Sequence, residues 1–588
     1  MVIQKLVDCY QTLQANGCTV AHLGWNLQPI SYAIDIDLDG MLLGLTDLRT
    51  VFTDEKGKNQ YKPTYYMLPS HEQARSSNDK SYFLWDNGSY LFAAKAKRPL
   101  RRNHHIQVQR EILSEADFPE ALALLQFFER YTDEELQQYL KHHQIPLNAA
   151  ESLNFVYSVQ GKICGLQESF QQVWNTFFAA WLETQPKGID IVTNQEAPLC
   201  NTHMPIKPCA NLANGVALSF TNYGSVYYYK EKQGMVAPMG YHTVKAYTQA
   251  ASYMAKHPEY HVDIGNLKLL FWTEHMRKTE TDLLTALLRP SFDQQDLSHI
   301  IQDLAHGRHI DHCKVDPTEP VYLLGISTDI SGKTISVAFF EQSVFGTLFQ
   351  NVKAHYQRLQ IKGTVKNKEG NWEPGITYPT SLLKLRNAIA REPIFSWNKE
   401  SEFHNTFIQK LLSSILFGRP YPMELMVTCQ KRASLKPITA QQASILKAYY
   451  LQTFSDQDTR KECCTMGLNP DSTSTAYQLG RLFAYYEQIQ WQASGNNNLH
   501  ERYFRSAMTT PRQIFPLLSQ MTAIYEKKLS TGSRIYLNQQ LQSIKAKLSA
   551  YPIHLSLTEQ GLFDLGYYHQ RETLFTKKDL IEGETTNA

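Results

Sequence analysis

Val2, Leu6, Tyr10 and Leu13 recur every three or four residues in MVIQKLVDCYQTLQ, which predicts an opening helix with one apolar face. The period then changes. PISYAIDIDLDGMLLGLTDLR alternates apolar and polar positions on either side of DLDG, the pattern of a hairpin of two half-buried strands. Beyond the polar stretch from Thr53 to Lys62, aromatic residues are interleaved with Ser, Asn, Lys and Arg through YYMLPSHEQARSSNDKSYFLWDNGSYLF, which predicts turns carrying polar side chains. From about Ser114 to Leu182 the spacing is helical again, in ALALLQFFERY and FQQVWNTFFAAWL. A β-rich region is predicted over 188–245, and a second hairpin over VYLLGISTDISGKTISVAFF with Ser331-Gly332 at its turn. Ser343 is placed to cap a helix whose Phe345, Leu348, Phe349, Val352, Tyr356 and Leu359 share a face.

The last part of the chain reads as helices alone. Leu479, Leu482, Phe483, Tyr486 and Ile489 form one stripe; Leu517, Met521, Ile524 and Lys528 follow another; Leu537, Leu541, Ile544 and Leu548 form a third. A fourth helix near Leu557–Arg571 completes a bundle, with QASGNNN and STGS as its short connections. The predicted class is α+β and multi-domain, with mixed hairpin and helix regions followed by a C-terminal helical bundle. Four segments are expected: an α+β region at 1–112, a helical insertion at 113–187, a central α+β region at 188–465, and the bundle at 466–588.

A chain of 588 residues needs several cores, and 43% apolar residues supply them. Lys plus Arg at 58 against Asp plus Glu at 56 leaves +2, so any site for a polyanion must be local. The densest basic run is KAKRPLRRNHH, where Lys95, Lys97, Arg98, Arg101 and Arg102 have no acid between them. A second excess of cations follows Lys353 and includes Lys362, Lys366, Lys368, Lys384 and Arg386. The nine cysteines are scattered and odd in number, which fits a reducing cytoplasm better than a disulfide framework. With no signal-peptide core at the start and no long apolar run, the expectation is a soluble cytoplasmic protein without membrane contact.

Three catalytic or metal patterns fail on spacing. Gly332-Lys333-Thr334 ends like a phosphate-binding loop, but six residues separate Gly325 from Gly332 where four are needed, and the following residues alternate like a strand. Cys200, His203 and Cys209, and His306, His309, His312 and Cys313, have zinc-ligand chemistry without the paired spacing of a zinc ribbon. Asp35 and Asp37 read as solvated charges near a turn. No nucleophile elbow or His-Glu-x-x-His helix is present. Binding is thus favoured over chemistry, with no metal or cofactor expected. Lysine and arginine neutralise phosphates, amides and hydroxyls read base edges, and aromatics stack on unpaired bases, so the basic and aromatic stretches suit nucleic acid.

GWNLQPISYAIDID, RSSNDKSYFLWDN, SFTNYGSVYYYKEKQGMVAPMG, YLLGISTDISGKTISVAFFEQSVFGTLFQNVKAHYQRLQI, LNPDSTSTAYQLGRLFAYYEQIQ and GLFDLGYYHQR, in this order and spacing, resemble the large subunit of the type I-C CRISPR interference complex, Cascade. The resemblance runs nearly end to end. Asn78-Asp79 stands where that family tends to have a small residue, and Val236 where asparagine is usual.

The resemblance implies a non-enzymatic subunit that senses a short motif beside the target in duplex DNA, promotes unwinding, stabilises the displaced strand and helps to recruit the helicase–nuclease that cuts. Its implied partners are guide RNA, target double-stranded DNA, the RNA-processing subunit, the backbone subunits and the small subunit. On this basis Asn26, Gln28, Ser76, Ser77, Asn78 and Lys80 are candidates for motif recognition. Lys95, Lys97, Arg98, Arg101 and Arg102, with the second cation group, are candidates for phosphate binding. The bundle resembles the separate small subunit of related complexes; Arg481, Lys527, Lys528, Lys545 and Lys547 are its candidate contacts to the displaced strand, and Met466 is a candidate internal translation start. A metal-dependent nuclease and a purely structural scaffold are the competing classes.

Overall fold

The computed structural model describes residues 2–53, 57, 59–72, 81–92, 100–207, 233–264, 267–288, 316–328, 335–366, 372–378, 385, 388, 402–496 and 498–585. They form two compact units. The first comprises Met1–His261, Lys268–Met276 and Leu323–Phe340; the second comprises Val262–Leu267, Arg277–Tyr322 and Glu341–Ala588.

The first unit opens with the predicted helix, Val2–Ala15, which buries Leu6, Val7, Cys9, Tyr10 and Leu13. Its other elements are strands β1 (Trp25–Ile30), β2 (Tyr32–Ile36), β3 (Leu42–Asp47), β4 (Thr50–Thr53), β5 (Asn59–Lys62), β6 (Thr64–Pro69), β7 (Trp85–Asn87) and β8 (Asn154–Val159), with helices between and after them. β2 and β3 are the predicted hairpin, and Asp37 Oδ1 fixes its turn by accepting from the amides of Asp39 (3.0 Å) and Met41 (2.7 Å). β2 also pairs in parallel with β8, and β8 antiparallel with β7, while β1 pairs with β6. The period of two now sorts side chains to two buried faces. Ile34, Ile36, Phe155, Tyr157 and Val159 pack with Leu124, Phe127 and Phe128 of the Pro119–Arg130 helix and with Phe170 and Trp174 of the Glu168–Glu183 helix. Ala33 and Val156 point to a smaller cluster with Ile30, Leu68 and Trp85.

The region predicted to be β-rich at 188–245 is only partly so. Lys187–Ile189 pairs with Glu196–Pro198, residues 208–232 lie outside the described residues, and Tyr241–Lys256 is a helix. That helix is buried on nearly every side, so its apolar positions form no single stripe, and Tyr241, Thr243, Val244 and Tyr247 give it a strand-like composition. The second hairpin forms from Pro320–Thr328 and Ile335–Val344, with its Ser331-Gly332 turn outside the described residues.

The second unit contains the Phe345–Leu359 helix, the hairpin of Ile361–Lys366 with Trp372–Thr377, and a set of helices from Glu402 onward. Val344, not Ser343, stands at the cap position of the first of these helices; the Ser343 hydroxyl donates to the Val344 carbonyl. Thr475–Ser494 and Leu557–Thr585 pack along each other so closely that a Cβ on Gly480 would lie 2.0 Å from the Phe563 carbonyl oxygen, and one on Gly566 2.1 Å from that of Tyr477. The stripe from Leu479 to Ile489 is buried, as are Leu537, Leu541 and Ile544. The stripe through Leu517 and Ile524 is corrected: both are exposed, and the Pro511–Glu526 helix buries Phe515, Leu518 and Thr522 instead. Helices on both sides of 465/466 belong to this one unit. The Gln430 amide donates to the Leu557 carbonyl (2.6 Å), and the Tyr568 hydroxyl to that of Lys362 (2.8 Å).

Asp564, on the last helix, is fully buried, and among the described residues neither of its oxygens meets a hydrogen-bonding partner. Burial pushes its carboxyl well above the usual range. A carboxyl raised in the folded state contributes its full stabilisation below the unfolded value, about 3.9, and loses it as pH rises toward the folded value. Asp564→Asn removes this loss. Differential scanning calorimetry at pH 7.5 is expected to show the second unit melting at least about 2–4 °C higher in the variant, with the gain shrinking toward pH 5.

Candidate nucleic-acid interface

Asn26 and Gln28 lie half-buried on β1, opposite Leu68 and Tyr66 of β6. The Asn26 carbonyl oxygen of the side chain accepts from the Leu27 amide (3.0 Å). One residue before β1, Gly24 has φ +80°, and a Cβ there would press against the Phe178 ring at 3.0 Å, so glycine suits both the backbone and the space. Its carbonyl accepts from the Ser70 amide (2.8 Å) and Trp174 Nε1 (2.8 Å), and its amide donates to Glu72 Oε1 (2.9 Å). Glu72 in turn faces Lys245 of the Tyr241–Lys256 helix at 3.0 Å, and Lys245 Nζ also donates to the Trp25 carbonyl (2.6 Å). Both side chains are buried. Burial pushes the carboxyl up and the ammonium down, while their mutual attraction and hydrogen bonds pull each back toward its charged form.

Glu72 is the last described residue before the segment 73–80, and Ser81 is the first after it. Ser81 is held as firmly. Its hydroxyl donates to Asp86 Oδ2 (2.9 Å) and contacts His105 Nδ1, and His105 Nε2 meets the Tyr157 hydroxyl at 3.0 Å. Because the serine proton goes to the aspartate, Nδ1 carries the imidazole proton and Nε2 accepts from tyrosine. Serine, histidine and aspartate in contact invite comparison with a nucleophilic triad, but here the aspartate bonds the serine rather than the histidine, and all are sealed from solvent. His71 Nε2 lies 3.1 Å from the Ser81 carbonyl oxygen and joins the two ends of the segment. Ser76, Ser77, Asn78 and Lys80 fall between these ends and lie outside the described residues.

The Leu100–Ile112 helix, which supplies His105, also borders the basic segment 93–99. Gln109 on the same helix accepts from the Leu84 amide (2.9 Å) and donates to the Tyr82 carbonyl (2.9 Å). Arg101 reaches back to the Ser89 hydroxyl (2.7 Å) and covers the Tyr90 ring. Arg102 is 2% exposed; it donates to the carbonyls of Leu91 (2.8 Å) and Tyr131 (2.9 Å) and pairs with Asp133 at 2.6 Å. Its guanidinium is therefore turned inward, not presented to a phosphate. Lys95, Lys97 and Arg98 lie outside the described residues. One helix thus clasps the flanks of both candidate segments. The positioning residues Gly24, Glu72, His105 and Lys245 left no local signal in the sequence, since each finds its partner far along the chain.

In the second unit Arg481 is also buried, bonded to Gln570 (3.0 Å), the Pro470 carbonyl (2.9 Å) and Gln478 (2.8 Å). Lys545 donates to Ser519 (3.3 Å), and Lys547 to the Pro470 carbonyl (2.6 Å) beside Asp471 (3.1 Å). Lys362, Lys527 and Lys528 are exposed, and no acid pairs with them among the described residues. Lys366 ends its strand, while Lys368, Lys384 and Arg386 lie outside the described residues. Met466 is exposed, and its carbonyl accepts from the Lys362 amide (2.7 Å).

Of the metal-like clusters, Cys200 donates to the Thr202 carbonyl (3.1 Å), and His203 Nδ1 meets the Tyr247 hydroxyl (2.7 Å), with burial pushing the imidazole down to about 4. Cys209, His306, His309, His312 and Cys313 lie outside the described residues, as do Gly332, Lys333 and Thr334. Among the described residues no three His, Cys, Asp or Glu side chains gather as a metal site, and no helix is long and apolar enough to cross a membrane.

Replacing Lys245 by Met leaves the Glu72 carboxyl buried without its cation, a change that costs about 3–5 kcal/mol in comparable sites. Hydrogen exchange is expected to show the amides of Gly24 and Ser70 losing protection in Lys245→Met. The double variant Glu72→Gln, Lys245→Met should recover much of it.

No curated protein matches the chain. The family model described as CRISPR-associated protein (Cas_Csd1) matches residues 6–575. With nearly its whole length matched, the chain belongs to the Cas_Csd1 family, that of the large subunit of the type I-C Cascade.

Proposed function

We propose that this Cascade subunit senses a short motif flanking the target in duplex DNA and helps to open that duplex, while guide RNA reads the target sequence by pairing. The observation that carries this reading is the clasp: Ser81 and Leu84, which follow the candidate readers in 73–80, and Leu91, which precedes the candidate phosphate holders in 93–99, are all held by polar side chains of the Leu100–Ile112 helix. Asn78 and Lys80, with Asn26 and Gln28 on β1, supply amide and ammonium groups for base edges; Lys95, Lys97 and Arg98 supply phosphate contacts. Arg102 serves as a positioning residue.

In the second unit Lys527, Lys528 and Lys362 are the cations best placed to hold the displaced strand, since none is engaged by an acid among the described residues. The subunit itself breaks no bond in this reading. Cleavage falls to a recruited helicase–nuclease, and the RNA-processing and backbone subunits complete the cytoplasmic assembly. Met466 starts a second product of 123 residues, equivalent to a separate small subunit.

The test is electrophoretic binding of the reconstituted guide-RNA complex to duplexes that differ only in the flanking trinucleotide. Lys95→Ala, Lys97→Ala and Arg98→Ala together are expected to weaken binding to every duplex and to lower the salt slope by about 0.9 for each phosphate no longer neutralised. Asn78→Ala or Lys80→Ala should change which flanking motif is preferred. Unchanged binding in both sets refutes the assignment. For the internal start, Met466→Leu should abolish the shorter product in expressing cells; persistence of that product disproves it.

A further inference from the structure

A cavity of about 460 Å³ lies in the second unit, between the Ile361–Lys366/Trp372–Thr377 hairpin, Gly467-Leu468 and the Leu557–Thr585 helix. Its volume is in the range of small-ligand sites, roughly 300–1,000 Å³, and far below what a duplex needs. Gly363, Gly375 and Gly467 line it with bare backbone, and Ile376, half-exposed, lines it with apolar surface. Such walls accept a flat ring.

The polar groups around it are specific. His569 lines the cavity and is 2% exposed. The Tyr477 hydroxyl accepts from the Asn469 amide (3.2 Å) and lies 2.8 Å from His569 Nδ1. Burial pushes the imidazole down to about 3 and keeps it neutral, so the ring carries one proton and Nε2 presents either an N–H or a lone pair. Among the described residues Nε2 meets no hydrogen-bonding partner. A buried polar nitrogen without a partner is rare in folded proteins and marks a place for one. Thr573, also in the lining, donates its hydroxyl to the His569 carbonyl (2.8 Å) and so offers lone pairs, as does the Glu572 carboxyl. An imidazole nitrogen beside hydroxyl and carboxyl oxygens complements the edge of a nucleobase, and the carboxyl disfavours a phosphate inside. The phosphate has a partner in Lys362, which is exposed, forms no ion pair among the described residues, and is anchored through its backbone amide to Met466 and its carbonyl to Tyr568.

We propose that this cavity takes one unpaired nucleobase of a single strand, with His569 Nε2 hydrogen-bonding to the base edge and Lys362 meeting the adjoining phosphate. The inference rests on the nucleic-acid-binding reading above and adds to it a defined pocket for an everted base. Its parts come from both sides of residue 466, so the shorter product would carry only half of it.

Fluorescence titration of the full-length chain with a short single strand bearing 2-aminopurine provides the test. Ile376→Trp fills the cavity from an exposed position, so its thermal midpoint should be unchanged; it is expected to weaken single-strand binding at least about fivefold. Lys362→Ala should lower the single-strand salt slope by about 0.7. Duplex binding by the reconstituted complex should persist in Ile376→Trp, which separates this pocket from the motif-sensing segments. The inference is overturned if Ile376→Trp binds the strand as tightly as the unaltered chain, if single-strand and duplex affinities fall together, or if the unaltered chain leaves the fluorescence unmoved.

Discussion

The first unit is organised around two opposite charges taken out of water. Burying Glu72 and Lys245 costs several kcal/mol for each ion, and only good geometry recovers it. Here the carboxyl gains the Gly24 amide and the ammonium gains the Trp25 carbonyl, so the pair is stitched into backbone on both sides. An apolar pair of similar volume could pack there as stably, yet it would not specify direction. The ion pair does. It fixes the Tyr241–Lys256 helix, the turn at Gly24 and the end of β6 in one arrangement, and residue 73 leaves from that point.

On the far side of the same segment a second polar group, Ser81 with Asp86, His105 and Tyr157, does equivalent work without net pairing of ions. The two clusters differ in kind but share a consequence: Glu72, Ser81 and Leu91, which flank 73–80 and 93–99, are tied into internal hydrogen bonds. This also sorts the arginines. Arg101 and Arg102 belong to the most basic run of the sequence, but they spend their donors on Ser89, Leu91, Tyr131 and Asp133. Part of the most basic run therefore belongs to the framework, and only the folded arrangement reveals it.

Local patterns were legible in the sequence where a single face is buried. The opening helix, the β2–β3 hairpin and the stripes at Leu479–Ile489 and Leu537–Ile544 follow directly from spacing, as does the mixed α+β class with a helical C-terminal region. Legibility failed where burial is all-round or shared. The Tyr241–Lys256 helix hides its period, and on the Pro511–Glu526 helix the buried row runs one residue away from the more apolar one, leaving Ile524 exposed. The parallel pairing of β2 with β8 joins segments far apart in the chain, β8 being a strand inside the 113–187 stretch expected to be helical, and no turn signal announces it. The clasp around the candidate segments had no local signature for the same reason: Gly24, Glu72 and Lys245 are recognisable only together.

The close glycine-to-backbone approach between Thr475–Ser494 and Leu557–Thr585 bears on how the chain is made. During synthesis the apolar row from Leu479 to Ile489 leaves the ribosome well before its partner around Gly566 exists. Three intervening helices can form meanwhile from short-range contacts, but the long-range joint has to wait. Nascent chains of this unit therefore carry uncovered sticky surface for the time it takes to translate that interval, and chaperone occupancy should concentrate there.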